Sequence, residues 1–185
     1  MSKNYREDQR FTTLTAVDPG EYDHCIFSNC RLANADLTGR IFSDCTFTDC
    51  DLTNAKLHEA ALKTVTFKRC KLLGLRFEEC RDFLFRVTFH GCSLELATFH
   101  GWNLKGTEFK ECQLLETDFS NADLQKASFD GCDLNRAIFE RTDLRGADFR
   151  EAVNYRFSPE ENRLKGARFS VEGLPGLLTE YGIIV

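Results

Sequence analysis

Large apolar residues recur at every fifth position over most of the chain. Leu or Phe occupies 25 consecutive positions of this series, from Phe27 to Phe77 and again from Leu84 to Phe149. A small residue, mostly Ala, Cys or Thr, lies two positions before most of them. A helix would repeat every 3.6 residues and a simple strand every 2. A period of five therefore predicts a chain that turns a corner every five residues and coils into a solenoid.

Four such steps make a second period of twenty residues, in which like side chains form columns. One column, here called the core stack, consists of Phe27, Phe47, Phe67, Phe89, Phe109, Phe129, Phe149 and Phe169. Another column places Leu84 between Leu62 and Leu104. Four columns indicate a four-sided, all-β coil, with neighbouring coils about 4.8 Å apart, as hydrogen-bonded strands are. The pattern predicts a parallel β-solenoid of about seven to eight coils, with Gly or Asn at many corners, where positive φ is tolerated.

The spacing in the core stack is 20 residues except between Phe67 and Phe89, where it is 22. This two-residue slip lies at 81–86 and predicts an outward bulge at one corner. Trp102 occupies a slot that holds Ala or Cys in other coils, so we expect the bulge to make room for the indole. The slip has two interpretations: a structural accommodation, or a candidate projecting loop presenting Asp82, Phe83 and Phe85.

The ends of the chain differ from the middle and predict caps. Residues 1–21 lack the pattern and are interpreted as an N-terminal cap. The β-helix is expected over 22–174, with an irregular corner at 154–162. Residues 175–185 are expected to form a C-terminal cap and dimerisation tail, because a solenoid needs a distinct capping segment.

The C-terminal sequence predicts a short helix over 174–180, followed by an extended end. Its apolar side chains exceed what a cap requires, and an apolar surface at a chain end favours a partner. Twofold pairing is the commonest solution, so a homodimer is expected. The predicted interface consists of Leu174, Leu177, Leu178, Tyr181, Ile183, Ile184 and Val185.

Charge is unevenly distributed along the chain. The net charge is −5, which argues against direct nucleic-acid binding through a basic surface. Residues 1–90 hold 13 basic and 13 acidic side chains, whereas residues 91–185 hold 11 and 16. Outward carboxylates of the second half form a candidate partner surface, unless they are simply a solvated face interleaved with arginines. This acidic set consists of Glu108, Glu111, Glu116, Asp118, Asp123, Asp130, Asp133, Glu140, Asp143 and Asp148.

No sequence motif indicates catalysis, a cofactor or a metal. All nine cysteines occupy the small-residue slot, and no CxxC pair is present, so we expect buried free thiols and no zinc site. The polar start and the lack of a long apolar run favour a cytoplasmic protein that neither enters nor binds a membrane. A non-enzymatic protein is therefore expected.

The spacing Ala/Cys-x-Leu/Phe-x-x, clearest over 33–57 and 121–149, resembles the pentapeptide-repeat proteins. The resemblance covers about 22–174 and implies a right-handed quadrilateral β-helix. The coil count, the interrupted last coil and the ending GLLTEYGIIV resemble the branch that contains quinolone-resistance and microcin-immunity proteins. That branch implies a C-terminal dimer and a DNA-mimicking rod that protects or modulates DNA gyrase and topoisomerase IV. The long projecting loops of the resistance proteins are missing here, and a general protein-interaction scaffold is the alternative.

Overall fold

The computed structural model describes residues 4–183 and contains thirteen short strands and three 3₁₀ helices. No α-helix occurs in this part of the chain. The strands are β1 (Tyr5–Glu7), β2 (Arg10–Thr12), β3 (Glu21–Asp23), β4 (Ile26–Ser28), β5 (Ile41–Ser43), β6 (Thr46–Thr48), β7 (Ala61–Lys63), β8 (Val65–Lys68), β9 (Val87–His90), β10 (Glu108–Lys110), β11 (Ser128–Asp130), β12 (Asp148–Phe149) and β13 (Arg168–Phe169). The 3₁₀ helices are Phe77–Glu79, Leu174–Leu177 and Thr179–Tyr181.

The strands form two parallel sheets on two sides of a four-sided coil. Nine strands pair in the order β13-β12-β11-β10-β9-β8-β6-β4-β2, and four pair in the order β1-β3-β5-β7. The other two sides are held by isolated parallel bridges, such as Arg31 to Asp51 and Asp36 to Lys56. Bridges such as Asn103 to Asp123 also continue the side of the four-stranded sheet beyond β7. The predicted right-handed β-helix is confirmed, with about 8 turns.

The core stack runs through the interior as one ladder of phenylalanine rings. Consecutive rings from Phe27 to Phe169 lie 4.6–5.5 Å apart and within 20° of parallel. The first seven members are buried, and Phe169 at the end is partly buried. Burial of apolar surface is the main favourable term in folding, and offset stacking adds to it.

Positive φ is general at the corners and is not restricted to Gly and Asn. Asp44, Glu59 and Arg69 have φ values of 50°, 55° and 49°. Their backbone N–H groups donate to carbonyl oxygens of the next coil at 2.8–2.9 Å. Hydrogen bonding between coils therefore determines the corner conformation, and it overrides the usual preference of L-residues for negative φ.

The predicted N-terminal cap forms a coil of its own. Strands β1 and β2 pair with β3 and β4, and Phe11 stacks on Phe27 at 4.9 Å. Partners across these pairs are 16 residues apart, so this first coil is four residues shorter than a regular one. Within the described residues, the ladder therefore starts at Tyr5 and not at residue 22.

The slip at 81–86 is present, but the expected core position of Leu84 is wrong. Leu84 is 63% exposed, and Phe85 points inward and packs edge-on against Trp102 at 5.4 Å. The N–H groups of Arg81 and Arg86 still donate to the previous coil, so the extra residues are confined to the corner between them. Trp102 is partly buried against Phe85, as expected for an indole that fills the space opened by the bulge.

The irregular corner at 154–162 is held by the side chain of Asn162. Its Oδ1 accepts from the Thr142 N–H at 2.8 Å, and its Nδ2 donates to the carbonyl oxygens of Phe139 and Ser158 at 2.8 and 2.9 Å. The Thr142 N–H and the two carbonyl oxygens are backbone groups that a regular coil would pair with other backbone groups. The amide side chain of Asn162 replaces these missing hydrogen bonds, which explains how the pattern resumes at Leu164.

The C-terminal helix predicted over 174–180 is two successive 3₁₀ helices joined at Leu178. Gly173 and Gly176 lie so close to Tyr155 that a Cβ atom at either position would clash with its ring or carbonyl oxygen. The segment therefore closes over Tyr155 at the end of the core. Gly182 is left-handed with φ 64°, so the extended ending is wrong at this residue; residues 184 and 185 lie outside the described range.

Replacing a core-stack ring should destabilise the whole solenoid. Phe109→Ala removes a fully buried ring that stacks on both neighbours, and we expect a loss of about 3–5 kcal/mol in the free energy of unfolding by urea. Phe83→Ala is the matched control, because Phe83 is 69% exposed and its loss should change stability by about 0.5 kcal/mol or less. Equal losses for the two variants would contradict the stacked core.

Candidate interaction surfaces

The interior is filled by apolar side chains and thiols. All nine cysteines are buried and free, as predicted. Several thiols donate to a backbone carbonyl oxygen of the preceding coil, such as Cys70 Sγ to Phe47 O at 3.5 Å. Burial raises the pKa of Cys30 to about 11 and that of Cys45 to about 12, so these groups stay neutral. Buried thiols with raised pKa values are structural and unreactive.

The acidic set is spread over all four sides of the rod. Glu108, Asp130 and Asp148 flank the core-stack side. Asp133, Asp118 and the Asp123–Asp143 pair belong to the bridge ladders of the three other sides. The directions of the remaining members follow from their positions one or two residues after a large inward residue of the five-residue series. These members are Glu111, Glu116 and Glu140. The ten carboxylates therefore do not form one continuous face.

Arginines compensate part of this charge on the same side of the coil. Arg145 lies 2.6 Å from Asp143, and Arg150 lies 2.6 Å from Asp148. Hydrogen bonds from these guanidinium groups lower the pKa of both carboxyl groups. Glu116 is paired in the same way with Arg136 at 2.9 Å. Such exposed pairs add little stability, but they turn the last coils into a patchwork of both charges.

Three of the acidic residues that lack a basic partner lie beside the middle of the core stack. Glu108 and Asp130 stand on adjacent paired strands, and Glu111 occupies the corner after β10. None of the three has a basic partner within 4.0 Å among the described residues. Lys110 lies opposite Asp130 in the strand register and partly offsets their charge. This small group is here called the Glu108 patch; Asp123, Asp133 and Glu140 also lack a basic side chain within 4.0 Å among the described residues.

The corner loop, residues 81–86, is the one place where the described coils bulge outward in the middle of the rod. Phe83 and Leu84 are exposed, and Lys63 Nζ lies 6.0 Å from the centre of the Phe83 ring. Phe85 does not project, because its ring packs inward on Phe77 and Trp102. The projecting residues are thus Asp82, Phe83 and Leu84, which corrects the expected role of Phe85.

The C-terminal end presents a partly apolar surface. Leu174, Tyr181 and Ile183 are exposed, and Leu178 is half-buried. Leu177 belongs to the core, so its expected place in a dimer interface is wrong: the 3₁₀ turn directs it inward. Ile184 and Val185 lie outside the described residues.

Two further exposed valines extend the apolar character of this half of the molecule. Val171 is 77% exposed and Val153 is 52% exposed. Sequence reasoning missed both, although their outward direction follows from the step pattern: Val153 precedes the inward slot of its coil, and Val171 lies two residues after Phe169.

Metal ligands converge at one exposed point. Ligand atoms of Asp23, His24 and Asp44 lie within 4.8 Å of one another, the only such group among the described residues. His24 Nδ1 is 3.0 Å from Asp23 Oδ1. Three exposed ligands fall short of the four that a closed zinc site requires. Separately, none of the helices in the described range is long and apolar enough to cross a membrane.

The four-sided coil with one large and one small inward residue per step defines a class of protein, the right-handed β-helix built from five-residue repeats. The sequence model of the protein family described as pentapeptide repeat region matches residues 21–81 and 83–154. The chain therefore belongs to the pentapeptide-repeat family. The break between the two matches falls at position 82, inside the corner loop. No curated protein matches the sequence.

Solved structures of pentapeptide-repeat proteins match the chain at low sequence identity, and HetL shares its fold. HetL, a pentapeptide repeat protein involved in heterocyst differentiation regulation from the cyanobacterium Nostoc, is 17% identical with a TM-score of 0.52; the match covers 92% of this chain and 88% of HetL. A trypsin-treated form of QnrB1, a plasmid-mediated fluoroquinolone resistance protein, is 18% identical with a TM-score of 0.48, covering 98% and 97%. A protein of the Arabidopsis thaliana thylakoid lumen is 19% identical with a TM-score of 0.38, covering 64% and 67%.

The buried thiols predict a loss of stability at alkaline pH. Below the ordinary thiol pKa of 9.0, Cys30 and Cys45 are neutral in both the folded and the unfolded chain. Above it, the unfolded chain releases protons that Cys30 and Cys45 retain until about pH 11 and 12, so the unfolded state is favoured. We expect the free energy of unfolding in urea, under reducing conditions, to fall from about pH 9 to about pH 11, by at most about 1.4 kcal/mol per pH unit for each such thiol.

The matched control is Cys45→Ala, which removes one contributing thiol from the interior. Its stability should decline less steeply with pH than that of the unsubstituted protein. A free energy of unfolding that stays constant over this range would contradict the raised pKa values.

Proposed function

We propose that this protein is a non-catalytic, cytoplasmic rod that binds another protein through its outward side chains. The supporting observation is that inward and outward positions differ in every coil. Inward positions are filled by the apolar core, and the described outward positions form charged and apolar patches. A β-helix with one short corner loop has little extra chain from which to build a catalytic cleft.

We further propose a type II topoisomerase, either DNA gyrase or topoisomerase IV, as the partner. This rests on the sequence resemblance to the topoisomerase-protecting branch and on the acidic excess of residues 91–185. A rod of about eight coils at about 4.8 Å is on the order of 36 Å long, close in scale to a short duplex. Fluoroquinolone resistance is a property of QnrB1, and for this chain it is part of the proposal.

The magnitude of the charge limits how DNA could be imitated. Duplex DNA carries one charge per about 1.7 Å, so a comparable length carries roughly 20. The net charge here is −5, and arginines compensate several members of the acidic set. We therefore propose contact through rod shape and the Glu108 patch, and not through a full replica of the phosphate pattern.

Purified protein should alter gyrase supercoiling or fluoroquinolone-stabilised cleavage at about micromolar concentration. Glu111→Lys should weaken the effect at least about tenfold, because it reverses a charge within the Glu108 patch. Asp49→Lys is the matched control: Asp49 occupies the same corner of an earlier coil and has a similar left-handed backbone. Absence of any effect of the unsubstituted protein on both enzymes would contradict topoisomerase binding.

A scaffold for another protein is the second candidate, and the spread of carboxylates over four sides favours it. Such a rod could contact a partner without presenting a DNA-like stripe. Capture from a cell lysate separates the two functions: topoisomerase subunits support the first, and a different, reproducible partner supports the second.

We also propose that the protein forms a homodimer through its C-terminal end. Leu174 and Ile183 are exposed apolar side chains at this end of the rod. The stacked rings of Phe149 and Phe169 form the last part of the ordered core next to this end. The identical surface on a second copy provides a self-complementary partner.

Sedimentation equilibrium should show a dimer for the unsubstituted protein and a monomer for Leu174→Glu and Ile183→Glu, because a buried unpaired charge opposes association. Leu96→Glu is the control, since Leu96 is exposed on a coil far from the C-terminal end. A monomer at all concentrations of the unsubstituted protein would rule out this interface.

A further inference from the structure

The corner loop exposes two adjacent large apolar side chains, Phe83 and Leu84. Elsewhere in the coils, large side chains of the five-residue series point into the core. Leu84 has the left-handed backbone conformation, with φ 59°, that many corner residues of this rod share. Adjacent exposed apolar side chains are a feature of binding surfaces.

A groove of about 670 Å³ lies between the corner loop and the next coil. The rings of Phe85 and Trp102 line it, and Arg86 and Lys105 lie along its sides. The Trp102 Nε1 atom is buried and has no hydrogen-bond partner among the described residues. Indole N–H is a donor only, so this buried donor is an uncompensated polar group beside the groove.

Positive charge surrounds this groove, although the chain as a whole is acidic. Lys63, Arg86 and Lys105 have no carboxylate within 4.0 Å in the described part of the chain, whereas neighbouring Arg81 is paired with Glu59 at 3.3 Å. The loop contributes one carboxylate, Asp82, and Asp44 lines the adjoining groove beyond ion-pair distance from these cations. The local balance favours a negatively charged occupant that also has apolar surface.

We propose that the groove beside the corner loop binds an extended acidic segment of a partner protein. An apolar side chain of that segment packs on Phe83 and Leu84, and its carboxylates face Arg86 and Lys105. The proposal rests on the proposed function only in taking the partner to be a protein, and it uses a surface separate from the Glu108 patch.

The chain's single tryptophan lies in the groove and can report binding directly. The probe is a twelve-residue peptide without tryptophan, in which two leucines are flanked by glutamates. We expect a saturable change in Trp102 fluorescence that weakens with added salt, because the attraction between the charges is screened. Two control peptides, with lysine in place of glutamate or glycine in place of leucine, should bind at least about tenfold more weakly.

Charge reversal on the protein tests the same contact from the other side. Arg86→Glu and Lys105→Glu should each weaken binding of the glutamate peptide at least about tenfold. Lys165→Glu is the matched control, because Lys165 occupies the same outward position three coils after Lys105 and should leave binding unchanged. Urea unfolding of each variant verifies that the coil is intact.

Three results would overturn the proposal: no saturable fluorescence change, an equal response to the lysine peptide, or unaltered binding by both charge-reversal variants. Tighter saturation by a short DNA duplex than by the peptide would also overturn it, since the groove would then select a polyanion. The experiment contains no topoisomerase. Its failure would leave topoisomerase binding standing, and failure of the gyrase assay would leave the peptide result intact.

Discussion

The registration of each coil on the one before it is the constraint on which the rest of the structure depends. Backbone hydrogen bonds join equivalent residues of neighbouring coils, and the core-stack rings then fall 4.6–5.5 Å apart. A residue added to a side would misalign every later column, so an insertion has to be absorbed at a corner. The corner loop absorbs two extra residues, and the register is restored at Val87 opposite Val65.

The periodic part of the fold could be predicted from the sequence because each inward position demands one type of side chain. The core stack, the thiol positions and the place of the slip all follow from that demand. Inside the corner loop it no longer applies: Phe83, Leu84 and Phe85 are all apolar, and any of them could have filled the inward slot. The choice depends on the ring of Trp102, which packs against Phe85 from the next coil. A three-dimensional contact of this kind leaves no local signal.

The geometry of the coil explains why the acidic set does not form the single partner surface expected from the sequence. A count of carboxylates in one half of the chain ignores that each five-residue step turns the side chain by a quarter of a coil. Asp143 and Arg145 flank one inward leucine and therefore point outward together, as do Asp148 and Arg150 around Phe149. Their pairing follows from their spacing by two residues, which places both side chains on the outside of the same coil. The side that each charge faces was predictable, whereas its exact partner depended on side-chain geometry.

Because the inward side chains of the rod are all needed for packing, its binding properties can change only at outward positions and at corners. Substitutions at outward positions change the surface charge without disturbing the core, whereas an insertion at a corner changes the shape of the surface. In this chain the two means are separated in space: acidic residues concentrate after residue 91, and the groove with unpaired cations lies around the insertion. Opposite charges on separate parts of one rigid body favour a partner that meets both at once. Such a partner would be held in a single orientation along the rod, because turning it end for end would bring like charges together.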